Sequence, residues 1–506
     1  MTTVQVIIPA ADTAPEFTLC AAGLPETWRI HSQDNWIFEK DWEPGSDLLL
    51  LDPLTRVTPG SLEELQAVLY LHEKHAFVTP NFSAWRPRVS PRYRVVPSVG
   101  QFCILIKSDI LSRFGFIHEI AAINKYGYSA LVANRAQAYH PNAGETKIDS
   151  LRYPLDPLER FATLQEPHRP RILYDLYHLL PQHSGTSDFA LNLLRDLEPL
   201  ISDEYDLLVG AGIEQDFFWS ELRGYRLYDE RSTLPMVFDL VYKPCSMFSW
   251  SEYIKMTRLA PRVTFTLLDI IALRCDYIGR AGLPELFRKT VELSDLVVAI
   301  SESTRSDFEA FFEVELPMPV IYLGSSAGLA KGLNPAGEYL LVMGNSYAHK
   351  GLQETVEQLG TTWPTKVVGG GSLTSGNLSR RFMHELMLKA KLLIYPSFYE
   401  GFGLPVVDAL AMGKPVVVLD SALNRELAKF TGDPNLHRIA SFKDLRGTVQ
   451  HLWQQPPHPA RRSKTWSEVA AEYAHAFREL LNRNIDVERM RRRWDTVRLV
   501  ETLGSS

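Results

Sequence analysis

Tyr395–Asp420 read YPSFYEGFGLPVVDALAMGKPVVVLD. The run KLLIYPS before and into it has the length and apolar content of a buried strand, and it ends at Pro396. FYEGFG is then a loop with two glycines. Pro405 suits the first turn of a helix over Leu404 to Met412, which Gly413 closes as a C-cap. Strand, glycine-rich loop and helix N-terminus together aim free N–H groups and a helix dipole at the crevice beyond the strand. Phosphate suits that place. Glu400 and Asp408 do not suit phosphate, because carboxylates repel it, so sugar hydroxyls are their expected partners. The structural alternative is that Asp408 favours the helix start and Glu400 caps a turn.

The same rhythm extends in both directions. YLLVMG, TKVVGG, KLLIYPS and KPVVVLD are short apolar runs separated by helical material, after the turn-rich connector 328–338. Upstream, ILYDLYHLL, EYDLLVG, RVTFTLLDII and SDLVVAIS repeat the pattern. This is the βαβ order of a doubly wound α/β fold. Residues 150–171 are rich in proline and charge and read as a linker with at most one short helix. Before them, VQVIIPA and DLLLLD read as strands. SLEELQAVLYLHEKH reads as a helix with Leu62, Leu65, Leu69 and Leu71 near one face. Trp466, Val469, Tyr473, Phe477 and Leu480 fall at spacings of three and four and predict one amphipathic helix.

A chain of 506 residues needs two to four cores. The formal net charge of −7 gives no global basic field to attract nucleic acid. Cys20, Cys103, Cys245 and Cys275 have no metal-like spacing and read as reduced thiols. The N-terminal apolar run lacks a preceding basic region and reads as a strand. No apolar stretch has the length of a membrane span. A cytoplasmic location is expected. The tail VERMRRRWDTVRLV is basic with a tryptophan, which leaves open a peripheral contact with an anionic membrane or a solvated terminal helix.

The stretch 395–420 resembles the nucleotide-sugar motif of family-4 retaining glycosyltransferases of GT-B fold. In that motif a Glu, GFGLP and a second Glu eight positions after the first lie in the C-terminal domain. The resemblance runs from Ile172 to about Leu481. It implies that Glu400 contacts the donor sugar. The amides of Gly401, Phe402, Gly403 and Leu404 then approach sugar and diphosphate, and Asp408 takes the acid that binds the ribose diol, one methylene shorter. In LLVMGNSYAHKG the family carries an Arg and a Lys for the diphosphate. Lys350 matches the Lys, and Asn345 stands at the Arg position. Gly344, Ser346 and His349 share the donor loop, where a protonated His349 would add charge. In the preceding lobe Gly185 and Thr186 match a glycine loop facing the cleft. Asp269 matches the Asp of a His-Asp strand end whose His is Leu268 here. Ser301, Thr304 and Glu426 match positions where helix capping is the structural reading. The family's usual scheme is same-face attack assisted by the departing phosphate, which requires no metal cluster or other cofactor.

VQVIIPA, LLLLDPLTRVTPGSLEEL, VGQFCILIKSDILSRFGFIHE and YGYSALVANRAQAYH resemble segments of family-2 GT-A glycosyltransferases. The metal Asp of that family is Leu54 here, leaving Asp52 nearby. The acidic base motif reduces to Glu119, and His140 matches a metal-side His. The resemblance therefore implies a degenerate domain over 1–149 and the linker 150–171. An acceptor domain over 172–330 follows, then a donor domain over 331–465 and a crossing helix with basic tail over 466–506. The function expected is transfer of a hexosyl or deoxyhexosyl unit from a nucleotide sugar to a glycan or lipid-linked glycan, in polysaccharide or O-antigen assembly. Two rivals stand beside it: a nucleotide-sugar epimerase of the same fold, and a non-catalytic assembly subunit.

Overall fold

Short β-branched runs cannot satisfy their backbone groups alone, and here they pair side by side with helices between them. The computed structural model describes residues 4–8, 29–32, 42–51, 56–57, 61–73, 75–81, 93–96, 103–114, 129–139, 157–161, 164, 168–228, 237–275, 277–279, 282–327, 337–345, 347–369 and 378–504. They fall into two compact units. One comprises 1–181, 204–241 and 258–261; the other comprises 182–203, 242–257 and 262–506. Asp52, Leu54, Glu119 and His140 lie outside the described residues.

The first unit contains β1 (Val4–Ile8), β2 (Arg29–Ser32), β3 (Asp47–Leu51), β4 (His75–Asn81), β5 (Tyr93–Val96), β6 (Cys103–Ile106) and β7 (Ser129–Tyr139). It continues with β8 (Arg171–Asp175), β9 (Asp206–Gly210) and β10 (Leu227–Tyr228). β1 pairs with β2 and β3 in parallel, and β3 pairs with β6 antiparallel. β8, β9 and β10 are parallel neighbours, and β10 meets β5 at Tyr228 and Val95. Strands from both sides of 150–171 therefore share one mixed sheet. The predicted first helix is α1, Ser61–Leu69, burying Leu62, Leu65, Val68 and Leu69. Leu71 lies beyond its end. The 150–171 segment holds one short helix, Pro157–Arg160.

The second unit opens with α2, Gly185–Ile201, capped by Ser184 in a reciprocal box with Ser187. β11 (Arg262–Leu267) and β12 (Leu296–Ala299) are parallel neighbours, flanked by α3 (Leu283–Leu293) and α4 (Glu302–Phe312). A separate five-stranded parallel sheet follows: β13 (Tyr339–Met343), β14 (Thr365–Val368), β15 (Ala390–Tyr395), β16 (Val416–Leu419) and β17 (Leu436–Ile439). Its order, β14-β13-β15-β16-β17, is the Rossmann-like order in which the winding reverses between the first and third strands. Leu340, Val342, Leu392, Ile394 and Val417 form its core. α5 (Arg380–Lys389), α6 (Leu404–Ala411) and α7 (Ala422–Thr431) connect its strands. The fold is α/β, with a doubly wound parallel sheet over 339–439 and parallel runs within the mixed sheet of the first unit.

α8, Trp466–Asn482, buries all five residues of the predicted stripe. It packs on α2, with the Trp466 and Tyr473 rings 6.1 and 6.3 Å from Phe189. The Tyr473 and Thr266 hydroxyls hydrogen-bond at 2.8 Å. α9, Val487–Gly504, turns Met490, Trp494 and Val497 inward. Arg493 is fully buried and donates to Leu293 O at 2.8 Å and to Asp295 at 2.7 Å. The tail's tryptophan is thus a packing residue, while Arg491, Arg492 and Arg498 stay exposed. Among the described residues no helix is long and apolar enough to cross a membrane.

Candidate active site

The winding reversal places the ends of β13 and β15 side by side, and ligands of such sheets bind outside those carboxyl ends. The loop after β13 carries Gly344, Asn345 and Lys350; the loop after β15 carries Glu400 to Gly403. Lys350 and Glu400 form an ion pair with both side chains largely covered. The Tyr395 hydroxyl donates to the same Glu400 oxygen at 2.8 Å. Burial, reinforced by the Glu400 charge, pushes the Tyr395 hydroxyl well above its usual range. It therefore stays protonated and remains a donor.

Close approach explains the glycines. A Cβ on Gly401 would lie 1.9 Å from Leu268 O. The Gly401 carbonyl accepts from Ser301 Oγ at 2.8 Å and from Thr304 Oγ1 at 3.2 Å. Gly403 adopts φ +86°, a left-handed geometry that favours glycine, and begins α6 without a side-chain cap. The first turn of α6 thus keeps amide groups free of any capping side chain, as an anion site requires.

Asp408 lies one turn into α6. Its Oδ1 accepts from Ser325 Oγ at 2.6 Å and Ser326 N at 2.9 Å, and its Oδ2 lies 3.5 Å from His384 Nε2. Asp269 accepts from Ile271 N at 2.9 Å. Burial raises its pKa, and the Glu400 charge adds to that. At the start of α2, a Cβ on Gly185 would meet nothing within 4 Å, so the space there is open. Asp188, in the same turn, accepts from Arg380 at 2.7 and 3.0 Å, and Arg380 also donates to Asn192 at 2.8 Å.

These groups line one cavity of about 530 Å³, a size that suits a small-molecule ligand. Its lining includes Gly185, Thr186, Asp269, Gly344, Asn345, Lys350, Glu400, Gly401, Phe402, Gly403, Leu404 and Asp408. Ser346 lies outside the described residues. His349 is not among the described lining residues. Its backbone N–H donates to the Tyr277 hydroxyl at 3.1 Å, and that hydroxyl meets its Nδ1 at 2.6 Å. Burial, with Lys350 beside it, lowers the His349 pKa. His349 is thus a neutral loop anchor and adds no charge to offset Asn345.

Ser301 caps α4, with Thr304 N donating to its hydroxyl at 2.9 Å. Glu426 accepts from the N–H groups of Glu302 and Ser303 at 2.7 and 2.8 Å, capping α4 from α7. Both follow the capping alternative in the sequence. Tyr395, Tyr347, Arg380 and His384 line the cavity as well and were not anticipated. Tyr395 carried a signal, because the last residue of a strand of this kind borders the ligand crevice. Arg380 and His384 carried none beyond their one-turn spacing on a helix.

Residues 337–462 match the family of glycosyl transferases group 1. The stretch covers the parallel sheet and both site loops. The chain is 34% identical over 85 residues to an O-antigen chain mannosyltransferase B of Escherichia coli, spanning 17% of this chain and 20% of that protein. It is 27% identical over 121 residues to an MMP alpha-(1->4)-mannosyltransferase of Mycolicibacterium hassiacum, spanning 22% and 29%. The matches thus cover under a third of each of these curated relatives. Among solved structures, Anabaena HepE in complex with UDP and glucose is similar at 16% identity and TM-score 0.44, over 67% of this chain and 100% of that one.

Proposed function

We propose that the chain is a retaining glycosyltransferase of GT-B fold that moves a hexosyl or deoxyhexosyl unit from a nucleotide sugar to a growing glycan. The observation that carries this reading is the Lys350–Glu400–Tyr395 cluster beside the uncapped start of α6, at the switch point of the sheet. On this reading Lys350 and the amides of Gly401 to Leu404 hold the diphosphate, where charge develops as the bond to the sugar breaks. Glu400 takes hydroxyls of the transferred sugar, and Asp408, through the Oδ2 that faces His384, takes the ribose. Asp269, Gly185 and Thr186 border the acceptor side. The protein's own charges and amides serve the leaving group, and the reaction is read as metal-independent.

The matched relatives make mannose the first donor sugar to test, and a polysaccharide or O-antigen chain the first acceptor class. Residues 1–149 are read as a GT-A-like domain without transfer of its own. Membrane contact, where it occurs, would use the exposed arginines of α9. The deciding experiment is a thermal-shift panel of GDP, UDP, dTDP and CMP with their sugars, followed by transfer assays with and without EDTA. A base-specific shift plus EDTA-resistant transfer supports the reading. No shift with any nucleotide rejects it. Transfer that EDTA abolishes and manganese restores rejects the metal-independent part.

A further inference from the structure

Tyr277 and Tyr347 are 54% and 50% exposed, although large aromatic rings gain most by being covered. Their centroids lie 6.2 Å apart with 34° between the planes. His349 sits beside both: 6.2 Å and 16° from Tyr277, 5.7 Å and 19° from Tyr347. The Tyr277 hydroxyl meets His349 Nδ1 at 2.6 Å. A ring-nitrogen lone pair lies in the ring plane, so these two rings join edge to edge. With 16° between them they lie nearly coplanar, so the buried His349 ring sets the plane of the exposed Tyr277 ring. The second bond, from His349 N to the Tyr277 hydroxyl, fixes it further.

A flat aromatic face with a hydroxyl at its rim complements a pyranose ring, which presents C–H groups on one face and hydroxyls around its edge. Tyr347 also lines the donor cavity, three residues before Lys350. Tyr277 is exposed and its ring adjoins Tyr347 at 6.2 Å, so the surface shared by both rings runs from the cavity lining at Tyr347 out to solvent, at the cavity's mouth. An acceptor must come to that mouth for its hydroxyl to reach the donor. A nucleobase is the competing occupant, but it would need a face within the cavity, which Tyr277 does not supply.

We propose that Tyr277 and Tyr347 form a stacking platform for a pyranose unit of the acceptor glycan. This rests on the glycosyl-transfer reading of the adjoining cavity. The test uses the full chain with excess GDP or UDP and three oligosaccharide probes: an α-linked mannotriose, a maltotriose and an α-linked galactobiose. Saturation-transfer NMR reads contact with the ring C–H protons, and titration reads affinity. Saturation with at least one probe is expected. Y277A and Y347A should each weaken that probe about fivefold or more, the loss of roughly one aromatic stacking contact. Y347F, which keeps its ring, should retain binding, and Y277F, which keeps the ring but loses the hydroxyl that holds it to His349, should weaken binding less than Y277A. Absence of saturation with all three probes, or unchanged affinity in both alanine variants, overturns the proposal. Loss of nucleotide affinity in Y277A, whose ring is outside the described lining of the donor cavity, also overturns it, assigning the ring to the base. If wild-type protein shows no nucleotide shift yet binds a probe in a tyrosine-dependent way, the platform stands and the donor reading falls.

Discussion

Gly401→Ala tests the closest contact at the site. The new Cβ would sit 1.9 Å from Leu268 O, whereas real Cβ contacts stay above 3.0 Å. The loop or the strand end must therefore retreat by the difference, 1.1 Å. Neither atom is the tip of a flexible side chain, so the backbone itself must move. The Gly401 carbonyl is held by the Ser301 and Thr304 hydroxyls, and shifting it weakens both bonds, at about 0.5–1.5 kcal/mol each. With the residual overlap, a total of about 2–4 kcal/mol is expected, which marks a specific steric fault rather than a surface change. Glu400 is the adjacent residue, and a displacement near 1 Å at a reacting group costs about a hundredfold in rate. Thermal melting, nucleotide-induced shift and donor-dependent transfer are measured on the variant beside Gly185→Ala. The latter places a methyl in open space and should melt within about 0.5 kcal/mol of wild type. A Gly401→Ala protein that melts and transfers like wild type would refute the close approach and the role drawn from it.

On the proposed reading Glu400→Gln removes a charge-assisted bond to a sugar hydroxyl, about 1.5–3 kcal/mol, and should nearly abolish transfer while nucleotide binding changes by only a few fold; retention of most activity with the native donor would remove Glu400 from the reaction. Glu426→Ala leaves the Glu302 and Ser303 N–H groups without their cap and should cost about 0.5–2 kcal/mol in a urea melt; an unmoved midpoint counts against capping across helices. The His349 pKa is lowered from its ordinary 6.5 in the folded chain, so the unfolded chain binds more protons in acid. Its contribution is complete above that value and is lost as pH falls. The wild-type melting temperature should drop more steeply than that of His349→Gln between neutral pH and pH 5, and parallel profiles would show that His349 is not buried as a neutral ring.

Local pattern carried the parallel sheet. Runs such as YLLVM and VVVL are apolar at consecutive positions, which only a strand covered on both faces tolerates, and Gly403 with Pro405 fixed where the next helix begins. The α8 stripe was equally clear because its period is a property of five nearby residues. What escaped are contacts between distant residues. Asp408 meets Ser325 and Ser326 more than eighty positions away, and Arg380 meets Asp188 at a separation of 192. His349 looked like a spare cation in a glycine loop. Its state is decided by burial beside Lys350, and the approach of the Tyr277 hydroxyl is one that no spacing reveals. The α9 tail was less legible for a related reason. Basic composition around one tryptophan fits a membrane surface or a solvated helix, and neither reading shows that Trp494 packs inward beside the buried Arg493–Asp295 pair.

These distant contacts bear on how the proposed chemistry would begin. Lys350 and Arg380 are the lysine and arginine of the described cavity lining, and each is already paired with a carboxylate, Glu400 and Asp188. Tyr395 is a second donor to the same Glu400 oxygen. On the proposed reading a diphosphate draws on the Lys350 charge and weakens its hold on Glu400, freeing acceptor capacity for hydroxyls of the sugar at the same moment. Tyr395 keeps the carboxylate in place through the exchange, because its own proton is retained by burial. The ion pair at rest then lowers the cost of an unligated carboxylate in a half-covered site. Asn345, at the position of the family's second cation, makes that exchange depend on Lys350 and the α6 amides. On that reading Glu400 and Lys350 act as one unit, whose two halves meet the two ends of the donor.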